Sequence, residues 1–273
     1  MSSPYLYGLT ISPWSIKARW ALDWHDVNYC WREYVTVLTP LLLHRRLKVP
    51  VSKVTAPVLI NGSQALMNAL DIVRYADKTG ANEPLLHAAE REEIERWDEI
   101  SRLLSEAGRA LMMTRMLTDR AGQMAALPPG LPAAIRGPMS FMARNTAKHL
   151  SQKYGFRFED GERHQATVLR CLELVRCQLN AKASSGLTSL LSRFSYADVS
   201  VSSALQLVLP VSPRFVPIHP DTASLWTLRD AARLFPDVLA WRDQIFDAHW
   251  RINHAPGACA RGSNKHMNEG GFV

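Results

Sequence analysis

The chain has 273 residues, 47% of them hydrophobic and 21% charged, which suits a folded protein with a sizeable core and excludes a disordered or low-complexity one. No run approaches the roughly 18 apolar residues of a membrane span, and residues 1–7 lack the basic-then-apolar pattern of a signal peptide, so a cytoplasmic protein is expected. A net charge of +7 raises nucleic acid as a partner, but only His44-Arg45-Arg46 is contiguous, so neither nucleic acid nor membrane is expected and the basic surface suits small anions or solubility.

In chain order, Tyr5 to Leu9 reads as a short strand. Ser12 is a credible N-cap and Pro13 a first-turn residue for a helix whose Trp14, Ala18, Ala21 and Leu22 recur at spacings of three and four. A second strand is expected within residues 28–34, joined to the first by a parallel crossover. Residues 41–51, basic and broken by Pro50, read as a short irregular helix and loop. Ala56 to Ile60, Asn61-Gly62 and Ser63 to Met67 read as a hairpin with a type I′ turn at Asn61-Gly62. Asn68 then caps a helix with Asp71 in its first turn and Gly80 at its end.

Past a linker at 79–86 the pattern turns helical. A long helix is expected over 91–117, broken by the Pro/Gly-rich stretch 127–138, with further helices over 141–154 and 164–183. Ser195-Tyr196-Ala197-Asp198 has the form of a capping box opening an apolar helix that Pro210 closes, and a last helix spans 236–250. The four cysteines (Cys30, Cys171, Cys177, Cys259) are too sparse for a disulfide scaffold, and no zinc-ligand spacing occurs, so no metal site is expected.

The order β-α-β, α, β-hairpin, α is that of the thioredoxin fold, and the whole layout from Tyr5 to Trp250 resembles the cytosolic glutathione S-transferase superfamily. Ser12-Pro13-Trp14-Ser15-Ile16-Lys17-Ala18-Arg19 looks like the active-site loop and first helix of its serine- and cysteine-type classes, with bacterial members as the nearest comparison. Thr55-Ala56-Pro57-Val58-Leu59 looks like the loop whose proline is cis in that fold. Residues 66–72 stand in the place of its acidic-Ser signature, and Ser195 to Asp198 with Ala240-Trp241-Arg242 look like its helical capping motif and last helix. The resemblance implies a thioredoxin-like α/β N-terminal domain over 1–80, an all-α C-terminal domain over 87–250 and a flexible tail over 251–273.

It also implies chemistry. Glutathione conjugation requires the thiol, with a pKa of about 8–9, to become a thiolate. A helix N-terminus favours that negative charge, and a hydroxyl aimed at the sulfur favours it further. Ser12 occupies the slot for that hydroxyl; its other reading is a plain N-cap. A serine there excludes a mixed disulfide with glutathione at that position. Ser15 is the second hydroxyl, read as a first-turn helix residue, and Tyr5 and Tyr7 as strand residues, since the tyrosine slot of other classes falls on Gly8.

Trp14, Ala56, Pro57, Asn68 and Ala69 are the expected glutathione-binding positions. A residue before a cis proline offers its N–H and C=O to an extended peptide. At Asn68-Ala69, relatives place an acidic residue or Gln and then Ser; Ala69 lacks that hydroxyl, at a cost of about tenfold to a hundredfold in affinity. His44, Arg45, Arg46 and Lys53 could meet a glutathione carboxylate or form a solvated basic face. The electrophile pocket would lie between the domains beside Trp14, with Met112, Met113 and Met116 as lining or as core. The function implied is transfer of the glutathione thiolate to a small hydrophobic electrophile by a detoxifying homodimer; the other reading is a non-catalytic binding or interaction module on the same fold.

Overall fold

Strand β1 (Tyr5–Gly8), helix α1 (Pro13–Trp24) and strand β2 (Cys30–Glu33) form the expected parallel crossover, with Tyr5 beside Cys30 and Gly8 beside Glu33. This is a computed structural model that describes residues 3–36, 38–127, 133–183 and 186–251. Strand β3 (Val58–Asn61) runs antiparallel to β1, and β4 (Gln64–Leu66) antiparallel to β3, in the sheet order β2-β1-β3-β4. The hairpin turn lies one residue later than its sequence suggested. Asn61 pairs with Gln64, so Gly62-Ser63 makes the turn, and φ is positive only at Gly62 (57°) where type I′ needs two positive angles. Asn61 is held in the strand because its side-chain amide donates to the Tyr75 hydroxyl at 3.0 Å.

Helix α2 (Leu38–Leu47) is regular over the stretch read as irregular, and a short 3-10 turn, Val51–Lys53, follows. Helix α3 (Ala69–Thr79) starts on its expected cap: the Asn68 carboxamide oxygen accepts from the Leu70 N–H at 2.9 Å. It ends at Gly80, where a Cβ would fall 2.2 Å from that of His25, so α3 and the end of α1 meet more closely than any other residue allows.

The helices beyond are α4 (Arg91–Thr118), α5 (Arg120–Ala125), α6 (Ala133–Tyr154), α7 (Gly161–Ala183), α8 (Tyr196–Ala204), α9 (Pro220–Trp226), α10 (Arg229–Leu234) and α11 (Pro236–His249). The long helix breaks at Asp119, before the Pro/Gly-rich stretch, because the Asp119 carboxylate caps α5 through the N–H groups of Ala121 and Gly122 at 2.9 and 3.2 Å. Helix α6 starts at Ala133, earlier than expected, and runs through Pro138. The short α9 and α10 had no distinct sequence signal. Ser195 and Asp198 form the expected capping box. From residue 252 the expected tail, with Cys259, lies outside the described residues.

Helix α1 is the centre of this arrangement. Every residue of it from Pro13 to Asp23 except Trp14 is buried. It packs against α3 on one side and α8 on the other, and one apolar cluster runs without a break from Leu6 and Leu59 in the sheet through Ile16 and Trp20 to Leu104, Val201 and Phe246 in the helices. Trp20 meets Phe246 and Trp250, with ring centroids 4.6 and 5.0 Å away, and so ties α1 to the end of α11.

A helix buried all round must still place its charges. Lys17 Nζ lies 2.9 Å from Asp98 Oδ1 on α4, and the Ser200 hydroxyl donates to the same oxygen at 2.7 Å. Burial drives the Lys17 ammonium below its ordinary pKa, opposed by Asp98. Burial disfavours the Asp98 charge too, yet Lys17 and Ser200 hold its carboxyl below the ordinary range. Asp98→Ala, which strands the ammonium, is expected to cost about 3 kcal/mol in urea unfolding, while Lys17→Met combined with Asp98→Leu recovers most of it.

Asp23 accepts from the Tyr29 hydroxyl at 3.0 Å, and its other oxygen lies 3.5 Å from Arg19 Nε. Burial, only partly offset by Arg19 and Tyr29, pushes its carboxyl up to about 7. Its folded pKa therefore exceeds the unfolded value of about 3.9, and the stability carried by the protonated form is full below about pH 4 and lost as pH rises through about 7. Asp23→Asn keeps that form at every pH, so its stability relative to wild type should rise by about 2 kcal/mol from pH 5 to pH 8, read from thermal melts.

Candidate functional site

The loop from Leu9 to Ser12 leaves β1 and delivers the chain to the N-terminus of α1, and three side-chain contacts fasten it. The Leu9 N–H donates to Ser15 Oγ at 3.0 Å. The Thr10 N–H and hydroxyl both donate to the Glu33 carboxylate, at 3.0 and 2.8 Å. The indole N–H of Trp31 donates to that carboxylate at 3.1 Å and holds it in place. Ser12 is 7% exposed, sits at the N-cap in extended backbone, and makes no side-chain capping bond, while its own N–H donates to the Leu9 carbonyl at 3.0 Å. The cap role proposed by its position is therefore not the one its hydroxyl takes.

Sheet register brings the other sequence-selected residues to the same edge. Val58 lies opposite Tyr7, and Leu59 opposite both Leu6 and Leu66. The residues just before β3 and just after β4 therefore lie beside the end of β1: Ala56-Pro57, whose peptide bond is cis, and Asn68-Ala69. The Thr55 N–H donates to Met67 Sδ at 3.4 Å and joins these two segments. The Asn68 carboxamide oxygen serves its cap bond to Leu70, and Ala69 is buried with only a methyl group to offer. Arg45, Arg46 and Lys53 are exposed and make no ion pair among the described residues.

Across from this edge stands a wall the sequence did not announce. The Arg109 guanidinium carbon, on α4, lies 4.5 Å from the Trp14 ring centroid, 3.9 Å from that of Tyr154 and 5.2 Å from that of Phe156. Lys153, beside Tyr154 on α6, donates to the Val54 carbonyl at 3.1 Å, an acceptor shared with the Tyr34 hydroxyl at 3.0 Å. The end of α6 is thereby fastened to the segment that leads into Ala56-Pro57. Met112, Met113 and Met116 are buried in a separate apolar cluster with Ala147 and Leu225, so they are core side chains.

Residues 6–84 match the family model for the glutathione S-transferase N-terminal domain. That model covers the N-terminal part of the chain, and the fold as a whole is the one seen in solved glutathione transferases. No curated protein matches the sequence. Among solved structures, a glutathione transferase family member of Pseudomonas fluorescens Pf-5 with bound glutathione is 17% identical at a TM-score of 0.54, over 89% of this chain and 94% of that one. A glutathione S-transferase of Methylobacillus flagellatus KT, also with glutathione bound, is 17% identical at 0.55, over 93% and 96%. A glutathione transferase of Phanerochaete chrysosporium is 14% identical at 0.58, over 93% and 100%.

Within the glutathione transferase fold, the absence of a tyrosine at Gly8 has a steric basis. A Cβ there would lie 2.6 Å from the Trp31 ring and 3.0 Å from Ser15 Oγ, so a side chain at that position would disrupt the contacts that hold the Ser12 loop. Ser15 is thus an anchor of the loop rather than a mere helix residue, and Glu33 is its counterpart from β2. Both escaped sequence reading because their partners lie on other elements. Arg109 carried a weaker signal that could have found it: an arginine one and two turns beyond Ser105 and Ser101, which are small and buried on the same helix face. Among the described residues no helix is long and apolar enough to cross a membrane, and no group of His, Cys, Asp and Glu could hold a metal ion.

Removing the Ser15 acceptor unpairs a partly buried N–H. Ser15→Ala is expected to cost about 1–2 kcal/mol in urea unfolding and to speed hydrogen exchange at the Leu9 amide.

Proposed function

We propose that this protein is a glutathione transferase in activity, adding the glutathione thiolate to a small electrophile, with Ser12 stabilising the thiolate. The observation that carries the reading is the Ser12 hydroxyl, positioned at the N-terminus of α1 and not used to cap it. A thiolate there would meet the first N–H groups that every helix leaves unpaired, together with the positive end of the helix dipole. The hydroxyl would donate to the sulfur and lower the thiol pKa further, so that the proton leaves to solvent near neutral pH. Ala56 would offer backbone N–H and C=O to the tripeptide, Trp14 would flank it, and Asn68-Ala69 would receive the γ-glutamyl end through the N-terminus of α3.

Glutathione seen in the Pseudomonas and Methylobacillus structures supports this assignment of the cosubstrate. Two units, residues 1–80 and 87–250, cytoplasmic residence, homodimerisation and a role in detoxification belong to the same reading. A second reading, a binding module on this fold, is favoured by one observation: Asn68 spends its acceptor on the helix cap and Ala69 has no hydroxyl.

Retention on immobilised glutathione and turnover of a generic aryl halide separate the two. The enzyme reading expects both, with Ser12→Ala lowering kcat/KM about tenfold to a hundredfold through one lost hydrogen bond to a charged sulfur. Absence of both retention and turnover would leave the binding module; unchanged turnover in Ser12→Ala would remove only the role given to Ser12. Ala69→Ser is expected to tighten glutathione retention about tenfold, read by calorimetry.

A further inference from the structure

The aromatic group beside Trp14 holds a cation that no described carboxylate pairs with. Trp14, Tyr154 and Phe156 surround the Arg109 guanidinium, and no carboxylate pairs with it among the described residues. Glu106, three residues earlier on α4, is engaged by Arg102 at 2.7 Å instead. Arg109 Nε is buried with no hydrogen-bond partner, and among the described residues no acceptor meets the terminal nitrogens. A second cation, Lys153, stands close by: burial first, and then the charge of Arg109, lowers its pKa. Burial likewise presses on Arg109 itself, opposed by Tyr154 and Glu106.

The physics of such a group is specific. Guanidinium cannot shed its charge in a protein, so burial has to be offset by neighbours. Aromatic rings do so in part through their quadrupoles, and they engage the flat faces of the group. The N–H edge is then what remains for a ligand, and its fork matches the two oxygens of a carboxylate. One of the flanking rings, Trp14, stands in the first turn of α1, two residues after Ser12, so the guanidinium lies beside the helix end at which the proposed thiolate would sit.

We propose that this cleft selects an electrophile bearing a carboxylate beside a flat aromatic or conjugated body, the carboxylate held in the fork of Arg109 and the body against Trp14. The proposal rests on the transferase reading and names its second substrate. For an aryl chloride, the thiolate sulfur forms a bond to the ring carbon that carries chlorine. The carbon–chlorine bond breaks with its electron pair leaving on chloride, and the thiol proton has already passed to solvent.

The test compares chlorodinitrobenzene with chlorodinitrobenzoate as substrates of the full chain. The expected result is a higher kcat/KM for the benzoate, with the ratio of the two falling about tenfold to a hundredfold in Arg109→Gln. Arg109→Lys, which keeps the charge but not the planar fork, should give an intermediate ratio and serves alone if the Gln variant does not fold. A ratio that stays at its wild-type value in both variants overturns the proposal. The same ratio accompanied by a raised KM for glutathione overturns it too, and gives Arg109 to a carboxylate of glutathione instead.

Binding of unreactive dinitrobenzoate and dinitrobenzene, followed by calorimetry without glutathione, separates this proposal from the reading it rests on. Preference for the benzoate that disappears in Arg109→Gln upholds the anion site even if wild type turns over neither chloride, in which case only the transferase reading falls. No preference in wild type overturns the anion site whatever the turnover.

Discussion

An ammonium group that is 3% exposed persists only where a carboxylate meets it, and the helices pack onto the sheet in an arrangement that brings Lys17 and Asp98 together. Helix α1 lies in the interior, packed against α3 and α8 and joined to the sheet through one apolar cluster, so it has no solvated face for its charges. Asp98 must come from α4 at the right height, and the Ser200 hydroxyl of α8 must complete it. One ion pair thus fixes α1, α4 and α8 relative to one another. The N-terminus of the same helix carries Ser12, so the position of the candidate site follows from the position of the pair.

The loop at that N-terminus is built on the same logic at smaller scale. Backbone that leaves a strand must find acceptors for its N–H groups, and here they come from Ser15 on α1 and Glu33 on β2. The loop is thus fastened without the Ser12 hydroxyl, which makes no capping bond of its own. Asn68 shows the opposite outcome: there the side chain is consumed by the cap, and what a ligand meets is a helix end without a hydroxyl beside it.

Patterns confined to one element were legible in the sequence. The strand–helix–strand opening, the Asn68 and Ser195-Asp198 caps and the last helix all rest on residues within a few positions of one another, whereas the cis bond at Ala56-Pro57 was implied only by the family resemblance. Errors arose where a partner lay elsewhere in the chain or a stronger local bond intervened. Asn61 was drawn into β3 by Tyr75, which moved the turn; Asp119 capped a new helix, which ended α4 before its prolines; and the helix through Pro138 began earlier than the proline suggested.

By itself the sequence determined much of the local structure and the fold class, because hydrophobic periodicity, caps and the order of elements are short-range properties of the chain. It also determined which residues could stand at the edge of the sheet: Ser12, Trp14, Ala56, Pro57, Asn68 and Ala69. Only the tertiary structure decided what those residues face. Arg109 and Trp14 are far apart in sequence, as are Lys153 and Val54, and no periodicity encodes that a cation from one helix will be enclosed by rings from two others. The physical reason is that charge compensation in a cleft depends on three-dimensional distance and on the exclusion of water, and both come into existence only when the helices close over the sheet.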